Sequence, residues 1–361
     1  MVLLTVKAEN LIAVIALCPA VNAGVGVAYT ERRVPKPKVW FYTKWKKLCN
    51  CVLFDNAGVK GRRVKKVSLQ TLNELIMERP TVALMYDFDG TLSPSYMQEY
   101  DFMDAIGLTD KESFWKTSHG LAEKQESSTI LAYMKLMVDK AKENGISIRR
   151  QQFVEFGRGI GFFPGVEQWF ELINRKGAEM GVNVEHYIIS SGLKELIEGT
   201  SIAKYFKKIY ACSFMYENDA AVWPAVAVDF TSKTQFIFMI NKGIYNIWEN
   251  AKINDSMPDE GRPVPFQNMI YLGDGETDIP SMRIVKTEGG HSIAIYKPNN
   301  ENSRGQAENL VHRGRVNFAC PGDYREGSEL YNAVIATIAK VKTDSDFHFL
   351  ERKNQKSMLE D

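Results

Sequence analysis

Cysteine is scarce: Cys18, Cys49, Cys51, Cys212 and Cys320 are the five among 361 residues, and they share no repeated spacing. An odd, scattered set excludes a disulfide framework and fits a reducing compartment, with the cytoplasm as the default. Cys49-Asn50-Cys51 lacks the second Cys/His pair that a zinc site needs. His119, His186, His291, His312 and His348 are equally dispersed and suggest no metal cluster. Long hydrophobic runs are also missing. The one uncharged stretch, Leu11 to Ala28, is interrupted by Pro19 and falls short of the roughly 20 apolar residues that span a bilayer. Its Ala20-Val21-Asn22-Ala23 has the small-residue character of a signal cleavage site, but Lys7 is offset by Glu9, so an exported chain is not expected. There are no internal repeats, and 45% apolar, 25% charged and 11% aromatic residues describe an ordinary globular composition with enough apolar side chains for a sizeable core.

Net charge is also nearly absent, at +1, but the sum hides an asymmetry. Residues 31–66 hold twelve Lys/Arg against Glu31 and Asp55, so a basic arm precedes an acidic body. Within that arm Trp40, Phe41, Tyr42 and Trp45 interleave with Lys38, Lys44, Lys46 and Lys47, a pattern that suits nucleic acid or an anionic membrane as partner. Residues 1–66 show no sustained helical or strand period and are read as a basic N-terminal extension that need not be ordered.

From Ser68 the pattern changes. An N-capping serine and Leu69, Leu72, Leu75 and Ile76 predict a helix to about Arg79. Thr81 to Tyr86 is a short apolar run typical of a buried parallel strand, and it delivers Asp87 at its carboxyl end. Val184 to Ile189 similarly ends at Ser190, and Met269 to Leu272 ends at Gly273-Asp274. The carboxyl ends of strands are where open α/β sheets bind ligands. Between the first two strands lies a mostly helical insert, with Ile130, Leu131, Met134, Leu136 and Met137 at helical spacing. The glycines of Gly157-Arg158-Gly159-Ile160-Gly161 read as a cap hinge, and Pro164-Gly165 opens a helix that buries Val166, Trp169, Phe170 and Ile173. A hairpin over Ile209–Met215 and Ala221–Phe230, a helix from Ser232 to about Ala251, strands at His291–Tyr296 and Val316–Cys320, and a helix over Glu329–Lys340 complete the pattern. The expected fold is α/β: a Rossmann-like, doubly wound parallel sheet in residues 67–93 and 165–343, a helical cap domain at 94–164, and a polar tail at 344–361.

Asp87-Phe88-Asp89-Gly90-Thr91 puts two carboxylates on one side of an extended segment, and Gly90 permits a tight turn. One carboxylate can attack a phosphoryl group while the other moves a proton. Gly273-Asp274-Gly275-Glu276-Thr277-Asp278 adds oxygen ligands suited to Mg2+, with Asp274 as the leading ligand and Asp278 as a ligand or an orienting residue. The Ser190 hydroxyl and the amides that follow it, through Ser191 and Gly192, suit phosphoryl oxygens, as does a lysine at a helix start. Lys233 follows Thr231-Ser232 at such a start; Lys242 is the rival.

Together these segments, in this order, resemble the four motifs of the haloacid dehalogenase superfamily over roughly residues 80–340, and the helical insert resembles the cap of its phosphoserine-phosphatase-like branch. The resemblance implies Asp87 as nucleophile, Asp89 as acid/base, phosphate contacts from Thr91, Ser190, Ser191, Gly192 and Lys233 or Lys242, and Mg2+ held by Asp87, the Asp89 carbonyl and Asp274, with Asp278 nearby. A carboxylate at Asp89 is usual in phosphatases and phosphotransferases, and dehalogenases lack it. Where phosphoserine phosphatases carry a cap glutamate, this chain has Tyr96, and Glu99 matches only by a shift. The expected activity is Mg2+-dependent hydrolysis of a small phosphorylated metabolite, with no obligatory protein partner. Phosphoryl transfer to another acceptor, or a nucleic-acid or membrane-binding role dominated by residues 31–66, are the alternatives.

Overall fold

The computed structural model describes three strands within residues 2–30 and, from residue 79 to 359, all but residues 109, 147, 259 and 260. The chain divides into two units, Met1–Met77 and Glu78–Asp361. In the first, β1 (Val2–Ala8), β2 (Leu11–Leu17) and β3 (Gly26–Thr30) form an antiparallel meander, with Ala8 opposite Leu11 and Ile12 opposite Thr30. This corrects the expectation of a segment without strand structure. Unbroken apolar runs such as Leu11–Leu17 carry no period-two alternation, so periodicity does not mark them. The basic arm and the helix expected from Ser68 to Arg79 lie almost wholly outside the described residues.

The second unit is built on a seven-stranded sheet in the order β10-β9-β8-β4-β5-β6-β7. Its members are β4 (Thr81–Tyr86), β5 (Asn183–Leu193), β6 (Phe206–Glu217), β7 (Ala220–Val226), β8 (Met269–Gly273), β9 (His291–Tyr296) and β10 (Phe318–Pro321). All neighbours run parallel except the β6–β7 hairpin. Parallel strands covered on both faces are apolar along their whole length, and Val82 to Tyr86 and Met269 to Gly273 are accordingly buried throughout. In register, Tyr86 lies opposite Ile188 on one side and Leu272 on the other. The residues that follow, Asp87, Ile189 and Gly273, therefore lie at one level across the three strands.

Between β4 and β5 come α1 (Asp101–Ala105), α2 (Lys111–Lys124), α3 (Thr129–Glu143), α4 (Arg150–Gly157) and α5 (Val166–Glu179). Asp110 and Ser128 cap α2 and α3 with their side chains. The expected start of α5 is in place, with Gly165 at φ +86 and the residues named from its spacing all buried. Gly157 marks a close approach: a Cβ there would stand 2.0 Å from the Leu196 carbonyl of α6 (Lys194–Glu198). The first of the supposed hinge glycines is thus fixed by packing.

Two helix lengths depart from expectation. The helix from Ser232 stops at Lys242 as α7, because Gly243 takes the left-handed φ of +68 that ends helices, and Ile247–Asn254 form tighter 3-10 turns. The closing helix, α10, runs from Glu329 to Leu359 and takes in the expected polar tail. Its distal turns carry i,i+4 ion pairs, Lys340–Asp344 at 2.6 Å and Lys342–Asp346, which favour an exposed polar helix that composition alone reads as a tail. The remaining helices, α8 (Ile279–Thr287) and α9 (Glu301–His312), follow β8 and β9. No described helix is long and apolar enough to cross a membrane.

Candidate active site

Asp87 emerges at the end of β4 and its N–H donates to the Leu272 carbonyl at 2.9 Å, which extends the pairing with β8 by one residue. The chain then folds back on itself. The Phe88 carbonyl accepts from the N–H groups of Thr91, Leu92 and Ser93, and Gly90 sits at φ +75. That conformation favours glycine, and space demands it as well: a Cβ on Gly90 would fall 1.9 Å from Asp274 Oδ2. Glycine thus lets the β8 loop bring Asp274 against the first motif. Carboxylate oxygens of Asp87, Asp274 and Asp278 lie within 4.8 Å of one another, with Asp87 and Asp278 buried and Asp274 open to solvent.

Lys233, the second residue of α7, reaches into this group with its ammonium wholly buried. Nζ lies 3.1 Å from Asp87 Oδ1 and 2.8 Å from Asp278 Oδ1. Burial alone would lower its pKa, but the charges of Asp278 and Asp87 outweigh that and hold it above the ordinary lysine range. Lys242, the rival from the sequence, sits one helix length away and donates to the backbone carbonyls of Ile253 and Asp255. The structure removes it from the site, because it stands at the opposite end of α7. Asp278 Oδ1 also accepts from the Tyr271 hydroxyl at 2.7 Å, and the Gly275 N–H approaches Oδ2 at 3.4 Å. Oδ1 of Asp278 is thus taken up by an ammonium and a phenol and holds Lys233 in place, while Oδ2 faces only the Gly275 N–H.

Asp89 is half-buried beside them, and its Oδ1 accepts from the Met97 N–H at 2.9 Å. Burial first, then the charge of Asp87, pushes its carboxyl well above the usual range. Asp87 is itself raised to about 7 by burial and by Asp278, with Lys233 acting against both.

Ser190, Ser191 and Gly192 close the β5 side. The Ser190 hydroxyl accepts from the Gly192 N–H at 3.0 Å, and the space a Cβ would take at Gly192 is filled by Met97, with Asp89 Oδ2 at 3.3 Å. The buried Thr91 and Ser191 hydroxyls find no hydrogen-bond partner among the described residues, which leaves both available to a ligand.

Several contributors were not legible from the sequence. Tyr271 reads as core, although its place two residues before Gly273 puts both on one face of β8. From the cap, Met97 Sδ meets the Leu193 N–H at 3.1 Å and the Tyr133 hydroxyl donates to the Ser191 carbonyl at 2.7 Å. No spacing signal joins residues 58 or 96 positions apart.

Among the described residues, the carboxyl groups of Asp87, Asp89, Asp274 and Asp278 meet one ammonium, that of Lys233, an excess of acidic groups in a largely buried space. That imbalance, with oxygen donors from Asp87 and the solvent-facing Asp274, fits a hard divalent cation such as Mg2+.

A family model described as haloacid dehalogenase-like hydrolase matches residues 84–283, more than half of the chain. The chain also shares 31% identity over 285 residues with an uncharacterized protein of Borreliella burgdorferi, which covers 71% of this chain and 96% of that protein. Among solved structures, a HAD family hydrolase from Salmonella enterica serovar Typhi aligns at TM-score 0.44 and 15% identity, covering 70% of this chain and 76% of that one. A probable phosphoserine phosphatase from Vibrio cholerae aligns at TM-score 0.46 and 13% identity, covering 74% and 67%. The chain is an enzyme of the hydrolase class defined by this α/β core. It belongs to the haloacid dehalogenase-like hydrolase family.

Proposed function

We propose that this hydrolase is a phosphatase: it cleaves small phosphomonoesters through an aspartyl-phosphate on Asp87 and depends on Mg2+. The observation that carries this reading is the cluster of Asp87, Asp274 and Asp278 at the strand ends, with the Lys233 ammonium locked between Asp87 and Asp278 and Asp89 held beside it by the Met97 N–H. Lys233 and the Thr91 and Ser191 hydroxyls orient the phosphoryl oxygens. An Asp87 oxygen forms the bond to phosphorus as the ester P–O bond breaks, and Asp89 gives its proton to the departing alkoxide. Asp89, now ionised, takes a proton from the water that attacks the acyl phosphate, which releases phosphate and restores both carboxyls. Asp87, Asp274 and the backbone carbonyl of Asp89 would hold Mg2+, whose charge offsets the repulsion between phosphate and carboxylate. The buried thiols of Cys212 and Cys320 fit a reducing compartment such as the cytoplasm.

Release of phosphate from a generic aryl phosphate, with and without Mg2+, tests the reading in the intact protein and in Asp87→Asn. We expect Mg2+-dependent turnover that falls by at least about 10³-fold in the variant, since its nucleophile is gone. Turnover that persists in Asp87→Asn would sink the mechanism.

A further inference from the structure

At the carboxyl end of β5 the sheet pairing slips. Ile189 lies opposite Tyr210 and Leu193 opposite Cys212, so Ser190, Ser191 and Gly192 together face Ala211 alone. Three residues against one make a bulge, and a bulge beside an active site re-aims groups that regular pairing would point elsewhere. It also takes backbone groups out of the ladder, and a carbonyl in a closed space still needs a donor.

The Ser191 carbonyl finds two. The Tyr133 hydroxyl donates to it at 2.7 Å from the cap helix α3, and the Cys212 thiol donates at 3.3 Å from β6. Burial pushes that thiol up to about 11, so it keeps the proton it donates. Cys212 is itself anchored, since its sulfur accepts from the Val228 N–H at 3.2 Å. Tyr133 is buried as well, with its ring centroid 5.8 Å from that of Trp115. A planar trans peptide turns its N–H away from its carbonyl. With the Ser191 carbonyl held by Tyr133 and Cys212, the Gly192 N–H points the opposite way and meets the Ser190 hydroxyl at 3.0 Å. That hydroxyl receives one hydrogen bond and retains its own proton to donate. The Ser191 hydroxyl, without a partner among the described residues, belongs to the same pinned residue.

Resting on the phosphatase reading above, we propose that Tyr133 is a positioning residue: with Cys212 it fixes the Ser191 carbonyl, and through it aims the Ser190 and Ser191 hydroxyls at the phosphoryl oxygens. Tyr133 touches no reacting atom. It belongs to the cap insert while Ser191 belongs to the core, so phosphate affinity depends on the cap being seated. A cap that lifts away takes one of the two donors with it, and the loop loses the preorganisation that makes such donors effective.

Inorganic phosphate is the probe, because it has no alcohol portion for a cap to grip. We expect calorimetry with Mg2+ present to show Tyr133→Phe binding phosphate about fivefold more weakly than the wild type. The accompanying loss in turnover of the aryl phosphate should lie mainly in KM. Adding Cys212→Ala should weaken phosphate binding further, and adding Cys212→Ser, which keeps a donor, should hold it at the level of Tyr133→Phe. Tyr133→Phe keeps the ring and its packing on Trp115, so it decides the matter even where a double variant fails to fold. Phosphate affinity unchanged in Tyr133→Phe, or a loss confined to kcat, would overturn the positioning role while turnover leaves the phosphatase reading standing. A wild type that neither binds phosphate nor cleaves the ester would overturn both.

Discussion

Two polar groups of opposite design meet at β4, one packed along the strand and one just past its carboxyl end. Behind the strand, Trp169 Nε1 donates to the Tyr86 hydroxyl at 2.9 Å, Tyr86 meets His186 Nδ1 at 3.0 Å, and His186 Nε2 meets Asn174 Oδ1 at 3.0 Å. A neutral imidazole protonated at Nε2 satisfies this chain donor for acceptor, and it carries no charge. At the carboxyl end, Asp87, Asp89, Asp274 and Asp278 face the single ammonium of Lys233. Folding alone selects for matched groups, since each unmatched buried charge costs stability. The contrast separates a network that holds the sheet together from one that stores unbalanced charge for a ligand.

The largest effect should come from removing the one cation. Lys233→Met leaves Asp87 and Asp278 buried without a counter-charge, and loss of one partner from a buried pair costs about 3–5 kcal/mol. Denaturant unfolding should show that loss, and turnover should fall by about 10²–10³-fold. A variant as stable and active as the parent would show that the ammonium does not balance the cluster.

A second, smaller effect should have opposite signs with and without metal. Asp274→Asn removes one of the excess charges, so in EDTA the variant should melt above the wild type. Mg2+ at a hundredfold its Kd stabilises the wild type by about 2.7 kcal/mol and the variant by much less, so the order of melting temperatures should invert. If both proteins melt alike under both conditions, the carboxylates are not a cation site.

The residues at strand ends were legible because their chemistry and their position are coded together. Asp87, Ser190 and Asp274 each follow an apolar run, and a buried parallel strand announces its end where polar residues begin. Lys233 and Lys242 fall in one predicted helix, and composition does not say which end meets the site; the left-handed Gly243 that ends α7 was the available signal. Tyr271, Met97 and Tyr133 stayed hidden because an aromatic or apolar side chain in a buried element looks like core whether or not it touches a catalytic group. The polar helix beyond Lys340 was missed for the converse reason: its support is ion pairing along its own surface, which leaves no apolar stripe.

The smallest effect tests the matched network, and its sign can be separated from that of the cluster. Burial holds His186 at about 3, below its ordinary 6.5, so its contribution to stability is present above pH 6.5 and is lost as pH falls toward 3. One proton at a slope of about 1.36 kcal/mol per pH unit amounts to about 2 kcal/mol by pH 5. Asp87 works the other way. Its carboxyl, raised to about 7, contributes stability that is present below about 3.8 and is lost as pH rises through 7, so acidification relieves the cluster while it strains the histidine. The two windows overlap, and a single unfolding curve against pH would show only their difference. Comparing Asp87→Asn with Asp87→Asn carrying His186→Gln, both in EDTA, removes the carboxyl from both sides. The difference in stability between the two proteins should then shrink from pH 7 to pH 5 in favour of the glutamine variant. A difference that stays constant over that range would mean that His186 takes up its proton as readily in the fold as in the unfolded chain, and that burial beside β4 does not hold it neutral.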